Sequence, residues 1–165
     1  MIIAAYAGTG KTTLANMYPE RFADFVLMPY KYELEEDKDC GDAGKANSDN
    51  FQRPDWPYNY IAAIQEAMHD GKHLLIPTDY LTLAHLQAKN IPYVLCYPER
   101  EAKEIYRRRY MDRGNNENFI DIFAEHWDNW IDMFEQDNHG HHVVLRSNEY
   151  LSDVITRIEA IETSN

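Results

Sequence analysis

Residues 5–13 read Ala5-Tyr6-Ala7-Gly8-Thr9-Gly10-Lys11-Thr12-Thr13. The pattern that curls a backbone around phosphate is Gly, four residues, then Gly-Lys-Ser/Thr, and only its first Gly is replaced here, by Ala5. No other stretch limits the fold as tightly, because such a loop works only between a buried strand and a helix. The apolar run Ile2-Ile3-Ala4-Ala5 supplies the strand, and Leu14-Ala15-Asn16-Met17 opens the helix. Ala5 needs only an ordinary strand-end conformation, so its methyl is a mild departure.

The chemistry of the loop follows from its residue types. Gly8 and Gly10 free the backbone to aim successive N–H groups inward. The helix that follows adds its unpaired N–H groups and the positive end of its dipole. Lys11 reaches β- and γ-phosphates in such a loop, Thr12 offers a hydroxyl to Mg²⁺, and Thr13 can donate to an α-phosphate. With Gly8, Thr9, Gly10, Lys11, Thr12 and Thr13 as its binding set, the loop implies ATP or GTP with Mg²⁺. No Asn-Lys-x-Asp guanine motif occurs, which ranks a GTPase switch low.

At 165 residues the chain suits a single domain with one sizeable core. Its formal net charge is −12, from 28 acids against 16 Lys plus Arg, so most of the surface repels a phosphate backbone and duplex nucleic acid is not an expected partner. Cys40 and Cys96 give neither a metal spacing nor a disulfide framework, and Cys96 sits in an apolar run that reads as core. The chain enters its first strand at Ile2 without a signal peptide, and no apolar stretch approaches a membrane span. A cytoplasmic protein is expected; its oligomeric state is not readable.

The remaining pattern alternates strands with helices. Phe25-Val26-Leu27-Met28 reads as a second strand, His73–Pro77 as a third, Ile91–Tyr97 as a fourth and Val143–Leu145 as a fifth. Helices are expected up to about His69, ended by Asp70-Gly71, and from Tyr80 to Lys89. This alternation argues for an α/β protein, a parallel sheet covered on both faces. Residues 33–50 carry seven acids, Glu33, Glu35, Glu36, Asp37, Asp39, Asp42 and Asp49, and read as an exposed excursion.

In residues 116–137, Phe119, Phe123, Trp127, Trp130 and Phe134 recur at helical steps. Glu117, Asp121, Glu125, Asp128 and Asp132 repeat those steps about 200° away around the helix. A core-facing helix with a solvated back explains this, and a partner-binding aromatic groove is the sharper alternative. His139, His141 and His142 bracket Gly140 without a completing carboxylate or Cys, so a solvated loop is favoured over a metal site.

Four segments together carry a family resemblance: the loop at 5–13, Trp56-Pro57-Tyr58-Asn59-Tyr60, Arg107-Arg108-Arg109-Tyr110-Met111-Asp112-Arg113-Gly114-Asn115, and Glu149-Tyr150-Leu151-Ser152-Asp153. They span nearly the whole chain, though only the first is chemically diagnostic. The chain resembles the nucleoside/nucleotide kinase branch of P-loop proteins, with the adenylate-kinase-like fold, and in particular small kinase-like proteins of phages and bacteria. The resemblance implies a three-layer α/β/α domain over residues 1–165 with a five-stranded parallel sheet of order 2-3-1-4-5. It also implies an acceptor-side excursion at about 29–60 and a lid at about 107–118.

The arginine cluster supports a lid on physical grounds, since phosphoryl transfer needs positive charge against the oxygens of the breaking bond. Arg109 and Arg113 share a helical face at i, i+4, so all four arginines cannot reach one phosphate. The plainer reading pairs them with Glu101, Glu104 and Asp112. Many relatives keep a carboxylate at the end of the second strand, where this sequence reads Met28-Pro29-Tyr30-Lys31. That departure lowers shikimate-kinase-like and polynucleotide-kinase-like assignments. Asp79, after the third strand, is the best candidate to order Mg²⁺ water or draw a proton from an acceptor, with capping of the next helix equally open; Asp24 and Glu33 are weaker substitutes. Arg53 is a candidate for an acceptor phosphate, and Trp56 and Tyr60 either stack on a base or fill the core.

The expected function is an ATP-dependent kinase for a small acceptor, a nucleoside or nucleoside monophosphate. Lys11, Asp79, Arg109 and Arg113 form its catalytic set. The alternative is a nucleotide-binding regulator or adaptor with little turnover.

Overall fold

The computed structural model describes residues 1–33 and 52–162. Cys40 and most of the acidic excursion lie outside the described residues. Five parallel strands form one sheet, β1 (Ile2–Ala5), β2 (Phe22–Asp24), β3 (His73–Pro77), β4 (Tyr93–Pro98) and β5 (His141–Leu145), in the order β2-β3-β1-β4-β5. Seven helices are described: α1 (Lys11–Met17), α2 (Met28–Lys31), α3 (Tyr58–Ala67), α4 (Tyr80–Ala88), α5 (Lys103–Asp112), α6 (Glu117–Glu135) and α7 (Ile155–Glu162). None of them is long and apolar enough to cross a membrane.

β1 is central, paired through Ile3↔Leu75 and Ile3↔Val94. Alternate residues of a strand point to opposite faces, which is why the strand must be apolar throughout. Ile2, Ala4 and Tyr6 join a core with residues of α3, α4, α5 and α6. Ile3 and Ala5 join a second core with Leu14 of α1 and Ile158 of α7. Helices therefore cover both faces, as an all-parallel sheet requires.

The second strand lies earlier than its apolar signal. β2 pairs Phe22 with His73 and Asp24 with Leu75, and Phe25 is its exit, donating its N–H to Leu75 O at 2.9 Å. Met28, expected within the strand, starts α2 instead, with Pro29 in the first turn, where a missing N–H costs nothing. Apolarity alone cannot fix the register of so short a strand; pairing with β3 does. The strand therefore ends on a carboxylate, Asp24.

Trp56 and Tyr60 are core residues, 5% and 0% exposed, and the Tyr60 hydroxyl donates to Phe25 O at 2.6 Å. Cys96 is likewise fully buried, and burial pushes its thiol up to about 12. In α6, capped by the Asn116 side chain accepting from Phe119 N–H at 2.8 Å, Trp127 and Phe134 are buried while Phe119, Phe123 and Trp130 are only half-buried. The acidic back is not merely solvated. Asp132 and Glu135 accept from Arg100 at 2.5 and 2.9 Å, and Asp128 from Lys103 at 3.4 Å. These pairs are exposed and contribute little each. Of the three histidines only His139 lies in the loop, since His141 and His142 open β5.

Candidate nucleotide site

The loop leaves the carboxyl end of β1 and turns into α1, so it sits where ligands bind in open α/β sheets. Tyr6 N–H still pairs with Cys96 O at 3.0 Å. Gly8 and Gly10 then take left-handed conformations, φ +81° and +93°. A Cβ on Gly8 would come within 2.9 Å of the Tyr110 ring, and one on Gly10 within 3.4 Å of Tyr150. Both positions need glycine for conformation, and Gly8 for room as well.

The loop is held from three sides. Thr9, fully buried, donates its hydroxyl to Tyr6 O at 2.7 Å, so only its backbone is left for a ligand. Tyr110 of α5 donates to Ala7 O at 3.0 Å. Leu151 N–H donates to Thr9 O at 2.9 Å. Lys11 folds back over the loop and donates to Ala5 O and Tyr6 O at 2.7 and 3.2 Å. Burial lowers its ammonium to about 8; Asp24 opposes that shift and Arg113 adds to it. Thr12 donates its hydroxyl to Asp24 at 2.5 Å. A hydroxyl and a carboxylate at one point are oxygen donors suited to Mg²⁺, and Thr13 lines the same opening.

Beside the loop lies a cleft of about 1000 Å³. Its walls include Lys11, Thr12, Asp24, Lys31, Asp79 and Arg113, and the aromatic residues Phe119, Phe123 and Trp130. Asp79 is on this wall and also caps α4, accepting from Thr82 N–H at 3.0 Å, and it pairs with Lys31 at 3.5 Å. Of the two roles set against each other from sequence, the cap is therefore seen, and the side chain also stands on the cleft wall. Arg53 pairs with Asp55 at 3.4 Å and is not on the cleft wall; Glu33 is exposed and is not on it either.

The arginines separate. Arg109 donates to Ser147 O at 2.9 Å and to Gly8 O and Glu149 O at 3.3 Å each. Its guanidinium also lies 3.9 Å from the Tyr150 ring centre and 4.5 Å from that of Tyr106. Arg113, exposed on the cleft, has no carboxylate partner among the described residues. Arg107 reaches Glu104 at 4.0 Å. His139 and His142 bond the backbone carbonyls of Ile91 and Asp137 at 2.9 and 2.7 Å, and no three-residue metal cluster exists among the described residues.

Sequence reasoning ranked Asp24 below Asp79, because its place beside Thr12 depends on where β2 ends. It missed Tyr110 and Tyr150 as supports of the loop, because their contacts cross most of the chain. No family model matches the chain, and no curated protein matches it. The α/β architecture with its five-stranded parallel sheet is compatible with a P-loop NTPase.

Proposed function

We propose that the chain binds a Mg²⁺–nucleoside triphosphate, ATP foremost, on the loop at 6–13 and transfers its γ-phosphoryl group to a hydroxyl of a small acceptor in the adjoining cleft. The observation that carries this reading is the meeting of Thr12 and Asp24 at 2.5 Å, beside a loop with two left-handed glycines and an inward lysine. Binding would exchange the carbonyl partners of Lys11 for phosphate oxygens, which favour the ammonium and oppose the lowering that burial causes. Thr12 and Asp24 would hold Mg²⁺, which supplies charge neutralisation to the phosphates when bound. Arg113 faces the same space and is free to stabilise the transferring group. Asp24 lies in reach of an acceptor entering from the cleft, and Asp79 orders that wall through Lys31.

Two features of the sequence favour a regulator with little turnover, the absence of an acid in Met28-Pro29-Tyr30-Lys31 and the aromatic and acidic helix at 116–137. Asp24 at the end of β2 speaks against the first. Measuring ADP release over nucleosides, mononucleotides, small metabolites and 5′-hydroxyl oligonucleotides tests the reading. ADP formation that depends on one acceptor class is expected; nucleotide binding without ADP under every acceptor would return the regulator.

A further inference from the structure

A backbone carbonyl and the N–H of the next residue point in opposite directions across a planar trans peptide. Whatever holds the one therefore aims the other. Three consecutive carbonyls of the loop are held by groups from outside it. Ala7 O accepts from the Tyr110 hydroxyl at 3.0 Å, Gly8 O from Arg109 at 3.3 Å, and Thr9 O from Leu151 N–H at 2.9 Å. The N–H groups of Gly8, Thr9 and Gly10 are thereby turned away from α5 and from the segment after β5. For one of them the direction is marked. Thr9 N–H makes a long bond, 3.4 Å, to Tyr6 O, the carbonyl that the Lys11 ammonium also holds at 3.2 Å. Positive φ at Gly8 and Gly10 lets successive N–H groups converge on one side in this way.

The three braces differ in kind. The Leu151 donor is backbone, and Arg109 divides its donors among Gly8, Ser147 and Glu149. Tyr110 offers a hydroxyl on a buried ring, packed against Tyr106, Phe119 and Phe123 at centroid distances of 6.3, 5.2 and 5.1 Å. Burial pushes that phenol well above its ordinary range, so it stays protonated and remains a donor. With the ring held by its neighbours, the hydroxyl serves to orient the Ala7 carbonyl.

We infer that Tyr110 is a positioning residue for phosphate: through Ala7 O its hydroxyl aims the Gly8 N–H into the loop, so that α5 sets the affinity of the loop for a phosphate chain. This rests on the nucleotide-binding half of the reading above, and not on the acceptor or the transfer step.

The test compares Tyr110→Phe with Tyr106→Phe in the full chain. Each deletes one buried hydroxyl from α5, and that of Tyr106 has no hydrogen-bond partner among the described residues. Calorimetry reads the affinity for Mg·ATP and for inorganic tripolyphosphate, and urea unfolding reads stability separately. Tyr110→Phe should weaken both ligands by a common factor of about tenfold, because the misaimed N–H faces phosphate and not the nucleoside. Tyr106→Phe should bind both as the wild type does. Wild-type affinities in a Tyr110→Phe protein that merely unfolds sooner would make the hydroxyl structural only and overturn the inference. An equal loss in Tyr106→Phe, a loss for Mg·ATP that tripolyphosphate does not share, or a wild type that binds Mg·ATP but not tripolyphosphate would overturn it too. In each of these cases the nucleotide reading stands. If the wild type does not bind Mg·ATP at all, both fail together.

Discussion

The two sides of the cleft are built in opposite ways. On the loop side Thr9, Lys11, Thr12 and Arg109 are each bonded within the protein, to carbonyls or to Asp24. On the other side, proposed above to take the acceptor, half-buried rings share the lining with two carboxylates, Asp24 and Asp79. A site for a highly charged, invariant group benefits from preorganised dipoles whose cost is met during folding. A site for a small acceptor gains from apolar area and a few placed polar groups. The contrast explains why the arginines at 109 and 113, one helical turn apart, have different surroundings. Arg109 ties α5, the loop and the segment after β5 together; Arg113 stands at the boundary between the two sides.

The largest effects should come where the sides meet. Arg113→Ala should lower kcat by about 10³ or more, read in steady-state turnover with the best acceptor, while Mg·ATP affinity moves far less. An unchanged kcat would remove Arg113 from the transfer. Asp24→Asn should lower turnover by about 10²–10⁴ and weaken the Mg²⁺ dependence of ATP binding. If it alters binding and turnover equally, Asp24 serves the metal alone.

Arg109 should respond differently. Losing two ring faces and three carbonyl bonds, Arg109→Ala should destabilise the protein by about 2 kcal/mol, measured by urea unfolding. Arg109→Lys should not restore that stability, because an ammonium cannot stack as a planar guanidinium does. Full stability in Arg109→Ala with lost turnover would place this residue beside Arg113 in function and erase the contrast.

A smaller effect is a proton. Lys11 falls from 10.5 to about 8 in the folded protein, so the unfolded chain binds more protons between those values. Stability of the free protein should therefore rise with pH across that window, with the full cost of burying the ammonium present below it. Bound triphosphate favours the charged ammonium, so at about pH 8.5 binding should take up a proton. Calorimetry in two buffers of different ionisation enthalpy reads this directly, and identical enthalpies in both would contradict it.

Much of this was legible in residue order. The loop motif is local, and β3 is bounded by Gly71 on one side and Pro77-Thr78-Asp79 on the other, so both emerge from sequence. The parallel sheet and its order 2-3-1-4-5 followed from alternation and resemblance, and the structure has them. β2 did not emerge correctly, because Phe25–Met28 is the more apolar run while the shorter Phe22–Asp24 is fixed by pairing with β3. That single shift hid the strand-end acid. The aromatic stripe of α6 was visible as a face, but not its division. Trp127 lies under α5 and β1 in the core, whereas Phe119 and Phe123 fall where the cleft opens. Arg109 was equally opaque, since the carbonyls of Gly8, Ser147 and Glu149 converge only after folding.

The central claim is that residues 6–13 hold a nucleoside triphosphate, and calorimetric titration of Mg·ATP into the wild type and Lys11→Ala tests it most directly. The wild type should bind, and the variant should lose about tenfold or more in affinity through the missing charge-assisted bonds. Equal affinity in both proteins would show that the loop is not the nucleotide site.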